Sequence, residues 1–190
     1  VLSREDQPPQ IYDKHHLVPF GEYLPFEDWL VRNGFGFAPE LFGVGFSAGK
    51  SGTPMILSNS VKILPMICYE IIFPRAVSAA RQDADVIVQI SNDAWFGGFS
   101  GPAQHLEITR LRAIEQGMPI IRVSNSGVSA VIDGRGEIVD KMPLNTSGHL
   151  DVQVPLMHYQ TPYALFGNWA YWVAWIALCV LAIRRSVIKD

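Results

Sequence analysis

The chain has 190 residues and a formal net charge of −3, enough for one well-cored domain and short of two typical ones. It carries no basic excess, which argues against nucleic acid as a partner, and no acidic tract of the kind that keeps a chain disordered. Hydrophobic residues make up 48% and charged residues only 17%, lean in charge for a soluble domain, with the apolar excess gathered near the C-terminus.

In chain order, the opening "VLSREDQPPQ" does not start with Met and has no apolar signal-peptide core, so the sequence reads as a C-terminal fragment of something longer. Residues 12–26, "YDKHHLVPFGEYLPF", set Lys14 and Glu22 among apolar and aromatic neighbours. Residues 29–54 follow neither a period of 2 nor of 3.6, and hold many glycines and Phe35, Phe37, Phe42 and Phe46. Two readings stand: an irregular loop packed on the core, or an apolar lid that touches lipid or a hydrophobic substrate. The "GKS" at 49–51 does not make a phosphate loop, because the spacing needs glycine at 44 and Val44 stands there.

From residue 61 the pattern becomes regular. "VKILPMIC" (61–68) and "DVIVQIS" (85–91) predict strands buried on both faces, with Pro65 requiring a bulge or an edge position. Residues 73–84 predict a helix with Pro74 at its first position, and 101–117 a second helix closed by Gly117 and Pro119. "PIIRVS", "VSAVID" and "EIVD" follow as strands, the last two joined by a turn at "DGRG", 133–136. Alternating strands and helices define an α/β class or a layered α–β sandwich. Residues 164–183 carry no formal charge, hold Trp169, Tyr171, Trp172 and Trp175 in their first half, and run into Arg184, Arg185 and Lys189. That pattern predicts a transmembrane helix over 164–184, a cytoplasmic tail over 185–190 and a domain over 1–160 on the outer side.

Three residue types here suffice for acyl transfer through a thioester. A cysteine attacks as thiolate, a carboxylate takes the thiol proton, and a lysine stabilises the oxyanion. Cys68, Glu22 and Lys14 supply them. Cys68 equally suits a small apolar residue ending a buried strand, and Glu22 and Glu70 equally suit caps or ion-pair partners. His15 and His16 have no partner at helical spacing that would make a metal site, and a structural role is expected. Cys68 and Cys179 belong to no zinc pattern, and no disulfide between them is expected.

Together "YDKHHLVPFGEYLPF", "ICYEIIFPR", "SNDAWFG" and "RLRAIEQGMPIIRVSNSGVSAVID" resemble the nitrilase-like domain of the bacterial apolipoprotein N-acyltransferase family, in the nitrilase superfamily. The resemblance implies an αββα sandwich ending in one transmembrane helix, set in the bacterial inner membrane with the catalytic domain periplasmic and no cofactor or metal. It also implies a Glu–Lys–Cys triad, with the lysine at Lys14, the nucleophile at Cys68, a further glutamate at Glu22, and Tyr69 and Glu70 supporting the substrate and oxyanion. The implied reaction takes an acyl chain from a phospholipid, usually phosphatidylethanolamine, onto Cys68. It then passes the chain to the N-terminal amine of an apolipoprotein's lipid-modified cysteine, in a monomeric enzyme. The triad's first glutamate lies well upstream of the lysine in that family; Glu5 stands in the wrong context for it. The chain alone is therefore expected to be inactive. Two alternatives are a nitrilase- or amidase-type hydrolase of a small C–N substrate, and an inactive membrane-anchored binding module.

Overall fold

The computed structural model describes residues 2–4, 7–35, 45–50, 52–57 and 61–187. Glu5, Phe37, Phe42, Val44, Lys189 and the middle of the predicted lid lie outside the described residues.

The apolar runs fold as their patterning requires. Strands β1 (Leu2–Arg4) and β2 (Gln7–Gln10) form a two-stranded ribbon, followed by a short helix α1 (Glu27–Arg32). A six-stranded sheet contains β3 (Met55–Ile56), β4 (Lys62–Ile67), β5 (Val86–Asn92), β6 (Ile120–Asn125), β7 (Ser129–Ile132) and β8 (Ile138–Met142), in that spatial order. The three central strands run parallel, with Ile63 opposite Val86 and Ile87 opposite Ile120. Parallel neighbours need crossovers, and helices α2 (Pro74–Ala80) and α3 (Gly101–Gln116) provide them. Pro74 opens α2, and Gly117 closes α3 at φ +62°, as expected. Pro65 sits in the one-sided stretch of β4, since β3 ends with Met55 opposite Ile63, so the missing N–H disturbs no ladder there. Asp133 shapes the turn between β7 and β8 by accepting the N–H groups of Arg135 and Glu137.

The core lies between the sheet and α2–α3. Leu64, Met66, Ile71, Val77, Ile87, Met118, Ile120 and Ile132 are fully buried there. Burying each such side chain contributes about 1.5–3 kcal/mol, so this layer fixes the ends of β4 and β5 where the polar residues gather. On the other face, Met55, Ile63 and Val86 pack with Tyr12, Ile121 and Val154, while Ile90 and Val123 stay more than half exposed.

The sheet, parallel at its centre and covered by helices, is the α/β layering expected, and the described strands outside it are β1 and β2. One expectation needs correction: the predicted membrane span is not formed. Gly167, at φ +54°, separates helix α4 (Pro162–Phe166) from α5 (Trp169–Val187). The charge-free part of α5, Trp169 to Ile183, is only about 22 Å long at 1.5 Å per residue. Among the described residues no helix is long and apolar enough to cross a membrane. The charge-based argument for the sidedness of the domain rested on that span and falls with it.

Candidate active site

β4 ends at Ile67, and the chain turns at once through a 3-10 segment, Cys68–Ile72. Cys68 makes the turn at φ +53°, in the left-handed region that costs a non-glycine residue about 1 kcal/mol or more. A cysteine ending a strand for packing reasons alone would not need that conformation. Cys68 is half-buried and lines a cavity of about 270 Å³ with Val18, Gly21, Glu22, Tyr69, Asn92, Trp95 and Phe96. The walls are mostly apolar, and Glu22 is their one carboxylate.

Glu22 meets Lys14, whose Nζ donates to both carboxylate oxygens at 2.6 Å. The Val18 N–H also donates to Glu22 at 2.8 Å, closing the loop between the two residues. The sequence-predicted Lys14, Glu22 and Cys68 thus come to one place, with Glu22 joining the ion pair to the thiol pocket.

Glu70 plays a different part. It is fully buried and accepts from the N–H groups of His15 (2.7 Å), His16 (3.1 Å) and Ile67 (2.7 Å) and from the Tyr12 hydroxyl (2.9 Å). It fastens the Lys14 segment to the strand end that carries Cys68. Burial, then the Glu70 charge and its hydrogen bond, push the Tyr12 hydroxyl far above its ordinary range. Burial lowers His15, with the Glu70 charge opposing. His15, His16 and Glu70 offer ligand atoms within 4.8 Å of one another, a grouping that spacing along the chain could not show. Glu70 already receives four donors there, which leaves its oxygens little capacity for an ion.

Behind the cysteine lies a polar network that sequence reasoning missed. Asp93 is fully buried and accepts from Ser91 (2.7 Å), from His105 Nδ1 (2.9 Å) and from Arg122 in a very short ion pair. Burial alone would raise the Asp93 carboxyl; the His105 and Ser91 hydrogen bonds and the Arg122 charge outweigh it and hold it at about 2. Burial lowers Arg122, and Asp93 pulls it back. Gln89 joins His105 Nε2 at 3.1 Å, accepts from Thr109 at 2.8 Å, and donates to the Cys68 carbonyl at 3.5 Å. The available signal was Gln89 and Arg122 themselves: polar residues inside the apolar runs "DVIVQIS" and "PIIRVS".

A half-buried cysteine sits on a strained strand-to-helix turn of an α/β domain, in a pocket lined by Glu22, the partner of Lys14, an arrangement that suits nucleophilic chemistry. The carbon-nitrogen hydrolase family profile matches residues 1–162, and the chain belongs to that family. Among curated proteins it is 42% identical over 179 residues to an apolipoprotein N-acyltransferase of Rhizobium leguminosarum, covering 93% of this chain and 33% of that protein. It is 41% identical over 189 residues to the apolipoprotein N-acyltransferase of Bradyrhizobium diazoefficiens, covering 100% of this chain and 35% of that protein. The chain therefore spans about a third of the length of these relatives. A solved Saccharomyces cerevisiae structure, Nit3 of the nitrilase superfamily, is 24% identical at a TM-score of 0.46, covering 52% of this chain and 39% of that one.

Proposed function

We propose that this chain carries the nucleophile of an acyltransferase. The enzyme moves an acyl chain from a phospholipid to the N-terminal amine of the diacylglyceryl-cysteine of apolipoproteins. The reading rests on one observation above the rest: Cys68, on its left-handed turn, opens into an apolar pocket beside the Lys14–Glu22 pair. The names of the relatives direct that chemistry to acyl transfer rather than to hydrolysis of a small C–N substrate.

In this reading a carboxylate base, which the resemblance places upstream of Lys14, takes the Cys68 thiol proton and holds it for the leaving group, and the sulfur attacks the ester carbonyl. The carbonyl electron pair moves to oxygen, where the Tyr69 N–H and the Lys14 ammonium stabilise it. Tyr69 lies in the first turn after the strand, where N–H groups have no intrahelical partner and point outward. Collapse expels the lysophospholipid alkoxide, which takes up the proton, and leaves an acyl thioester on Cys68. The acceptor amine then attacks the thioester, an amide forms, and the sulfur leaves with the amine's proton. Glu22 orients Lys14, and Glu70 holds the Lys14 segment against the turn. Phosphatidylethanolamine is the proposed donor, and the bacterial inner membrane the proposed location. The exposed Trp169, Trp172 and Trp175 of α5 suit contact with a bilayer surface.

The test is to express the protein from its complete gene in membranes with acyl-labelled phosphatidylethanolamine and to look for label on Cys68 as a hydroxylamine-sensitive thioester. The expected result is label in the wild type and none in Cys68→Ala. Absence of label in the wild type, or its persistence in Cys68→Ala, would refute the reading.

A further inference from the structure

The buried network behind Cys68 is larger than packing requires. Gln89, Asp93 and Thr109 are fully buried, and Ser91, His105 and Arg122 nearly so. Replacing such a cluster by apolar residues of similar volume is often neutral or stabilising, so its presence calls for another account. Its proton pattern is directional. The Asp93 carboxylate accepts from His105 Nδ1, so Nδ1 carries the hydrogen and Nε2 is an acceptor. Nε2 faces the Gln89 amide nitrogen at 3.1 Å, and the Thr109 hydroxyl, whose single hydrogen is shared between the Gln89 carbonyl oxygen (2.8 Å) and the His105 carbonyl (2.9 Å), favours that direction of the amide. The second amide hydrogen of Gln89 is thereby directed at the Cys68 carbonyl. Arg122 closes the circle through Asp93 and through Thr109 at 3.3 Å.

The Cys68 carbonyl shares a rigid plane with the Tyr69 N–H, and in a trans peptide the two point in opposite directions. We propose that Gln89, oriented by Thr109 and by the Asp93–His105–Arg122 group, is a positioning residue. It holds the Cys68–Tyr69 peptide so that the Tyr69 N–H faces the developing oxyanion. The inference rests on the acyl-transfer reading of Cys68. It assigns to Gln89 no contact with substrate; its effect passes through one peptide plane.

The two steps separate in experiment because alkylation of a thiol by iodoacetamide displaces iodide at a saturated carbon and builds no oxyanion. Gln89→Met and Thr109→Val, in protein expressed from the complete gene, should slow thioester formation about tenfold or more, against about 100-fold for outright loss of an oxyanion donor. The alkylation rate of Cys68 should stay within about threefold of wild type, because the thiol is untouched. Thr109→Ser keeps the hydroxyl and should restore acylation, which a merely structural role for the bulk at 109 would not predict. An equal fall in both rates, or acylation unchanged in Gln89→Met, overturns the proposal. Should the wild type alkylate normally yet form no thioester, the acyl-transfer reading fails. Hydrogen exchange at the Tyr69 amide then decides the inference: a changed rate in Gln89→Met supports it, and an unchanged rate refutes it.

Discussion

Glu70 offers the sharpest test of how the site is assembled. Its carboxylate is completely buried and accepts four hydrogen bonds, three from backbone N–H groups of Ile67, His15 and His16 and one from Tyr12. Glu70→Ala removes every acceptor at once. A donor left unpaired away from water costs about 1–3 kcal/mol. His15 and His16 are only partly buried, so water can reach some of the freed groups, and the expected loss is about 3–5 kcal/mol. Glu70→Gln keeps the volume and one acceptor oxygen, which can still serve His15 and His16. Its amide nitrogen then faces the Ile67 N–H, donor against donor, while the Tyr12 hydroxyl can turn to accept. One lost bond and one repulsion give an expected loss of about 2 kcal/mol. Urea unfolding followed by circular dichroism measures both. A glutamine variant as stable as wild type, or an alanine variant losing less than about 1 kcal/mol, would show that acceptor capacity is not what holds the Lys14 segment to the turn.

Three further outcomes follow from the same geometry. Asp93 has its carboxyl at about 2 in the folded chain against 3.8 unfolded, so the folded state binds the proton less tightly. Its contribution, on the order of 2 kcal/mol, is full above the unfolded value and fades as pH falls from about 4 through about 2. Urea midpoints of wild type against Asp93→Asn should therefore differ in slope inside that window and run parallel above it. Cys68→Gly should unfold at or above the midpoint of Cys68→Ala, since glycine takes the φ of +53° without the roughly 1 kcal/mol strain that alanine keeps. Gly127→Ala should cost about 2 kcal/mol or more, because a Cβ there would overlap the Asp93 carboxylate and the Ser124 hydroxyl; thermal melting checks both glycine predictions.

The parallel strands and their crossover helices were legible because they are strongly patterned and the helices carry Pro or Gly at an end, as at Pro74 and Gly117. Lys14, Glu22 and Cys68 were legible as polar or reactive types out of place in apolar surroundings. What sequence could not show was their joinery. Glu70 reaches His15 across 55 positions, and Asp93 reaches Arg122 across 29, and no periodicity encodes such distances. The C-terminal span misled for a related reason. Hydropathy averages over 164–183, whereas the helix is decided locally, and Gly167 with its left-handed φ divides the run into two helices.

The two polar centres differ in what they can do for the cysteine. Glu70 acts in front of the sheet edge, through backbone donors, and its loss should release a segment. The Asp93 group acts behind it, through side chains on β5, β6 and α3 and through Asp93 itself in the 3-10 segment Asp93–Phe96 that follows β5. Loss of Gln89 or Thr109 there is expected to change where a neighbouring group points more than to release a segment. Gly127 fits this account, since its lack of a side chain is what lets the loop after β6 close against the Asp93 carboxylate. A nucleophile on a strained turn needs both kinds of support. The conformation of Cys68 costs about 1 kcal/mol, and in the proposed acyl transfer its oxyanion donor is a backbone N–H whose direction is set by the adjoining carbonyl. In that reading the front clamp holds the Lys14 segment against the turn, and the rear network sets the direction of its peptide.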